Sequence, residues 1–430
     1  MKFGTLSILI TKISLILILY LYYSYVDISI QSSKIEAGCV LLLSLIFLFQ
    51  TKSNLILCLV AFFIFYCNYS IVLGEYLIGG NLGIPVYEVK TTYIYGLTLR
   101  TLLLFVLVIN LFYKKKDIKI TNLEIKLKDN FVLFYGGTII LLYILIFGIN
   151  RTELSTYSVS ITPMYEYSIL IFVLSYYYSG GIYIRKVVLS LLMFLFVLQD
   201  FYYGGRITSL QLILLFLVTI FVNKLSFKKI LMFGLVGIIL NSLVGAYRNS
   251  FELDRLNLLS VLSDLKDNMF VFDTPVYAYY ASATHIAASE IIDSDTKLRS
   301  FFAFLGSVFL GDDSEIGNLT LFISNNYFLN IGGGVIPSHF YFWFGWIGVL
   351  AIAIIIVIIM NKFAKLEKDY HKLTFLIFIV TVPRWYLYSP LNLIKPILFL
   401  LIMFFVYKVF HIIIYRSVKK RIYMYDMKDN

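Results

Sequence analysis

Charge is scarce in this chain of 430 residues: only 14% are Asp, Glu, Lys or Arg, where a soluble domain carries about 25%. Cysteine is nearly absent. Cys39, Cys58 and Cys67 all lie in apolar runs, an odd set that gives neither a disulfide framework nor a zinc spacing; they read as small buried hydrophobes. The seven prolines mark no linker, and no internal repeat is visible. No Walker A sequence is present, which excludes ATP as the driving force, and no His-x-x-x-His or Cys/His cluster argues for a metal. What remains is 60% hydrophobic and 18% aromatic. That composition describes a polytopic membrane protein, all-α, because helices satisfy their own backbone groups in lipid.

Runs of about 20 apolar residues fall near 6–25, 36–50, 54–73, 93–113, 131–150, 164–184, 187–203, 207–223, 230–247, 339–360, 373–390 and 393–415. The run at 36–50 is short. The first run follows Lys2, lacks an Ala-x-Ala-like cleavage site and reads as a retained span. The net charge of +11 is unevenly placed. Basic residues gather at Lys114–Lys116 with Lys119, Lys126 and Lys128, at Arg185/Lys186, at Lys224/Lys228/Lys229, at Lys362–Lys372 and at Arg416–Arg421. They punctuate every second loop, the positive-inside pattern, and point to topology, not to a nucleic acid. Twelve spans put both termini in the cytoplasm, in a single integral membrane domain covering 1–430.

One long polar interruption, 248–338, then lies outside the cytoplasm between the ninth and tenth spans. It holds five Lys/Arg and eleven Asp/Glu. Its semi-apolar stretches, Met269–Ala288 and Phe301–Leu310, are expected to lie at the interface or over the bundle. Tyrosines at span ends read as an interfacial belt; sugar stacking is the alternative for Tyr277, Tyr279 and Tyr280.

The candidate site residues stand where spans meet the outer side. Arg206 follows Gly204 and Gly205, whose lack of a side chain permits a tight turn. The helix that starts there would offer its N-terminus to an anion, with the guanidinium beside it as a bidentate phosphate ligand; an Asp200 salt bridge is the structural alternative. Arg248 closes the ninth span, and a snorkelling arginine explains it equally well. Arg384 sits beside Pro383 in a broken helix of the kind that lines a cavity, near Tyr388. His339 follows Gly332–Gly334 and is the candidate base, or an interfacial histidine held by hydrogen bonds. Arg100, two turns into the fourth span, reaches the outer cavity or pairs with a carboxylate. Asp293-Ser-Asp295 reads as a solvated turn.

This order of features resembles the Wzy-type polymerases of bacterial O-antigen and capsule repeat units. Gly204-Gly205-Arg206 opens a helix, Arg248 precedes the large loop, Gly332–Gly334 lead into the next span, and Pro383-Arg384 with Tyr388 lie near the last ones. Phe344-Gly-Trp-Ile-Gly348 looks like a helix start shared with O-antigen ligases, although the spacing from His339 differs. The resemblance implies a GT-C-like helical bundle of about 12 spans in the bacterial cytoplasmic membrane. It implies an inverting, metal-independent glycosyltransferase without a cofactor. The growing glycan on undecaprenyl diphosphate would pass to a new lipid-linked repeat unit, with Arg206, Arg248, Arg384 and His339 catalytic and Gly204, Gly205, Arg100 and Tyr388 binding substrate. A chain-length regulator is the further partner it implies. A flippase for the same lipid-linked oligosaccharides, an O-antigen ligase and a structural membrane partner are the competing readings.

Overall fold

The computed structural model describes residues 3–77, 92–115, 123–149, 162–203, 205–252, 274–310, 314–330, 332–362 and 367–426. These form helices joined by short connections, with one isolated bridge, Asp129 to Ser179, and no strand among the described residues. Seven of the described helices are long and apolar enough to cross a membrane. The protein is a helical, multi-pass chain of membrane type.

The chain divides into two compact units, 1–121 with 224–365 and 381–393, and 122–223 with 366–380 and 394–430. The first unit contains α1 (Phe3–Tyr25), α2 (Ile30–Gln50), α3 (Leu55–Ile71), α4 (Thr92–Phe112) and α9 (Phe227–Glu252). Capping fixes where they begin: Ser29 and Ser32 form a reciprocal box at the start of α2, and Asn54 accepts from Leu57 N at α3. α3 and α4 are buried almost all round, which is why their sequences are apolar on every face. At one end of this unit Lys114 N donates to Asn361 Oδ1 at 2.9 Å, and Lys52 lies over the Phe227 ring. Lys52, Lys114, Lys115 and Lys362 therefore share that end.

The polar interruption supplies α10 (Thr274–Ile291), α11 (Ser294–Leu310) and α12 (Leu319–Asn326) to the same unit. α10 departs from expectation. It is not laid over the bundle but buried within it, packed on α3, α4 and the following span. Ala278, Ala281, Ser282, Ala283, Thr284, Ala287 and Ala288 are all buried, and such small residues let helix backbones approach closely. Tyr279 and Tyr280 are buried with it, which leaves neither ring a face for a sugar. α11 turns Phe304 against Trp343, 4.8 Å between rings, and exposes Leu298, Phe302 and Phe309 on its outer face.

α13 (Ile336–Lys362) is the long span after the glycine run. It is kinked at Gly345, whose φ of 58° suits only glycine. A side chain at Gly348 would strike the Phe340 carbonyl. Both glycines of Phe344–Gly348 thus serve a kink inside the helix and not its start.

The second unit holds α5 (Phe131–Phe147), α6 (Ser168–Tyr177), α7 (Tyr183–Tyr202), α8 (Ile207–Thr219) and α14 (Asp369–Val380). α15 (Val382–Leu387) belongs to the first unit, and α16 (Leu391–Asp426) runs mostly in the second. Here the expected spans come out shorter. The run at 164–184 stops at Tyr177, because Gly180 and Gly181, at φ 62° and 75°, turn the chain. The run at 373–390 breaks after Val380, with Pro383 in the first turn of α15. In the opposite sense, the short run at 36–50 is a full helix of 21 residues, since Ser29 caps it further back.

Candidate functional site

A buried polar cluster of the first unit lies where α10 meets the start of α13. His285, which is fully buried, places Nδ1 3.0 Å from Ser338 Oγ. Ser338 already donates its proton to the Val335 carbonyl at 2.8 Å, so His285 Nδ1–H donates to the hydroxyl. On the other side Asn330 Nδ2 reaches Thr284 Oγ1 at 3.0 Å and His285 Nε2 at 3.3 Å. Asn330 Oδ1 accepts from Gly332 N, which fixes the amide's orientation. The bonds thus assign His285 as neutral, with its proton on Nδ1. They also exclude Ser338 as a histidine-activated nucleophile in this state, because the proton points the wrong way.

His339 stands edge-on to His285 with ring centroids 4.5 Å apart. It is only 2% exposed, and its Nδ1 has no hydrogen-bond partner among the described residues. A buried polar atom left unbonded costs about 1–3 kcal/mol.

The glycine run closes over this cluster. A side chain at Gly334 would lie 2.6 Å from His285 Cε1, and one at Gly333 would strike the backbone of Tyr388. Gly334 N donates to the Tyr388 carbonyl at 3.1 Å. Tyr388 therefore contributes its backbone, and the broken helix carrying Arg384 is brought to the glycine loop. Arg384 is half-buried on α15, between the fully buried Thr381 and Trp385. Tyr386 beside it donates to Asn68 Oδ1 of α3 at 2.7 Å.

Arg206 lies in the second unit, buried, at the cap position of α8, and makes no side-chain cap bond there. The expected anion site at this helix end already holds an anion. Asp200 Oδ2 accepts from Ser209 N and Ser209 Oγ, both at 2.8 Å, and so caps α8 from the preceding helix. Gly205 earns its place here: a side chain would collide with the Asp200 carboxylate. Gly204 lies outside the described residues, and so does the side chain of Arg248, whose backbone belongs to α9.

Arg100 does not reach a cavity. Its Nε meets Glu36 Oε1 at 3.0 Å, and Nη1 and Nη2 donate to the carbonyls of Tyr23 and Val26. It is a buried tie, the carboxylate pair that the sequence left open. Asp293 and Asp295 are structural as well: Asp293 caps α11 through Thr296, and Asp295 pairs with Arg299 at 2.6 Å.

No protein-family model matches the chain, and neither a curated protein nor a solved structure is significantly similar to it. The functional reading therefore rests on the residues themselves. Sequence reasoning singled out His339 and the glycines but missed His285 and Asn330. His285 sits in Ala-Thr-His-Ile-Ala, and its one signal was an ionisable residue in a small-residue helix.

Proposed function

We propose that this protein is a glycosyltransferase that polymerises lipid-linked oligosaccharide repeat units at the outer face of a bacterial cytoplasmic membrane. A growing glycan on undecaprenyl diphosphate is the donor and a single lipid-linked unit the acceptor. One observation carries the reading: the glycine run, the His285–His339 pair, Tyr388 and the proline-broken Arg384 helix come together in the first unit. Helices of the polar interruption form part of that locus, and lysines gather where α4 and α13 end. With those lysines inside, the locus faces outward, on the side where lipid-linked repeat units are joined.

The reaction needs cations to stabilise charge developing on the departing diphosphate and two tethered substrates held in line. Arg384 and Arg248, in the first unit, are the guanidiniums proposed for the first task, and Arg206, in the second, is proposed as a phosphate ligand in its own right. Asp200 caps α8, so at Arg206 the side chain and not the helix end would do this work. About twelve crossings and an extracytoplasmic 248–338 segment belong to the same reading.

Arg384→Ala and Arg206→Ala are expected to yield a normally inserted protein that leaves single repeat units on the surface. Arg→Lys at the same positions also impairs extension, because a point charge does not replace a bidentate fork. Normal chain lengths in both alanine variants would remove these residues from the mechanism.

A further inference from the structure

We propose that Glu75 is the catalytic base of this reaction, the group that takes the proton from the acceptor sugar's hydroxyl. The proposal rests on the glycosyl-transfer reading above.

Beyond Ile71 the α3 helix widens into a π-turn, Val72–Leu77, that carries Glu75 and Tyr76. Such turns are rare and concentrate at functional sites. Glu75 also falls within the apolar span Leu55–Leu77, and an ionisable side chain inside a span is by default a functional candidate. Its placement is rigid. Buried Tyr280 donates to Glu75 Oε2 at 2.5 Å. The Tyr76 and Tyr279 hydroxyls share a hydrogen bond of 2.5 Å, and both reach the Tyr95 carbonyl, at 3.3 and 2.6 Å. Two adjacent tyrosines of α10 thus hold the two residues of the π-turn. Glu75 is half-buried, whereas His339 is almost wholly enclosed. A general base needs both reach and a fixed orientation.

The π-turn belongs to the same locus as the histidines, because a closed ring of contacts joins them. Tyr280 and His285 share α10. Gly334 packs on His285 and bonds Tyr388, and Tyr386 bonds Asn68, two turns before Glu75 on the same span.

In the proposed step the acceptor hydroxyl oxygen forms a bond to the donor's anomeric carbon as its proton passes to a Glu75 oxygen. The bond from that carbon to the phosphate oxygen breaks, and its electron pair leaves with the lipid diphosphate. No further reactant is required.

Glu75→Gln separates a base from a structural tie, because the amide oxygen still accepts from Tyr280 and the volume is kept while the basicity is gone. The assay is the length profile of surface glycan in the host cell, beside immunodetection of the membrane-inserted protein. In a host where deleting the gene leaves single repeat units, Glu75→Gln at undiminished membrane level is expected to lower chain extension about 100-fold or more. Tyr280→Phe removes the tie and leaves the base, so it shortens chains less. Normal chains in Glu75→Gln overturn the proposal, as does loss of that variant from the membrane or the reverse ranking of the two variants. A deletion strain that keeps full-length glycan refutes the polymerase reading itself.

Discussion

Replacing Arg100 by methionine tests how the first unit is held together. Arg100 and Glu36 are 3% and 1% exposed and meet at 3.0 Å. The guanidinium also ties down the end of α1, where it donates to the Tyr23 carbonyl at 3.1 Å and the Val26 carbonyl at 2.7 Å. The Tyr23 ring covers it, 5.0 Å away, and Tyr23 Oη donates back to the Arg100 carbonyl. Arg100→Met therefore strands a buried carboxylate and two carbonyls at once. Removing one member of a buried pair costs about 3–5 kcal/mol. Glu36→Met leaves the arginine its two carbonyls and should sit at the lower end of that range. The double variant replaces charge by apolar volume, so it should be more stable than Arg100→Met alone by about 2 kcal/mol. Unfolding in mixed micelles of dodecylmaltoside and dodecyl sulfate measures all four proteins. Arg100→Met within about 0.5 kcal/mol of the parent, the range of an exposed pair, would refute the tie. Loss of chain extension at unchanged stability would return Arg100 to the substrate.

Gly333→Ala forces a methyl group against the Tyr388 backbone and should cost about 1–3 kcal/mol, as overpacking does, read as a lower unfolding midpoint. Ser209→Ala removes a bond to the Asp200 carboxylate; the loss is about 1.5–3 kcal/mol for a charged acceptor and should raise amide exchange at the start of α8. Hydrogen bonds from the Thr296 backbone and side chain hold Asp293 below the usual carboxylate range. Its contribution to α11 is therefore complete above the unfolded carboxylate's range and is lost as pH falls through the depressed value. Exchange in the first turn of α11 should quicken only in that acid window, and Asp293→Asn should weaken the dependence.

The spans of the first unit were legible because α3 and α4 are apolar on all faces and α2, α9 and α13 are long. α10 was not, since Ala, Ser, Thr and Tyr give close packing without high hydropathy, and a hydropathy reading counts them as nearly polar. The break at Gly180–Gly181 was written in the sequence as residues but not as a span end, because the apolar run continues across it, whereas Pro383 was legible as a helix break. At the site, the glycines and His339 stood out by type. His285, Asn330 and Glu75 depend on partners from 45 to 205 residues away, and no local pattern announces them. The cap of α8 was not legible for the same reason: Asp200 reaches Ser209, nine positions further on.

The most direct test of the polymerase account is the length profile of the surface glycan after deletion of the gene in its host and after its restoration. The account predicts one repeat unit per anchor in the deletion strain and full-length chains on restoration. Lipid-linked units trapped inside the cell, or full-length glycan held on its lipid carrier, would contradict it and assign the protein to transport or to ligation.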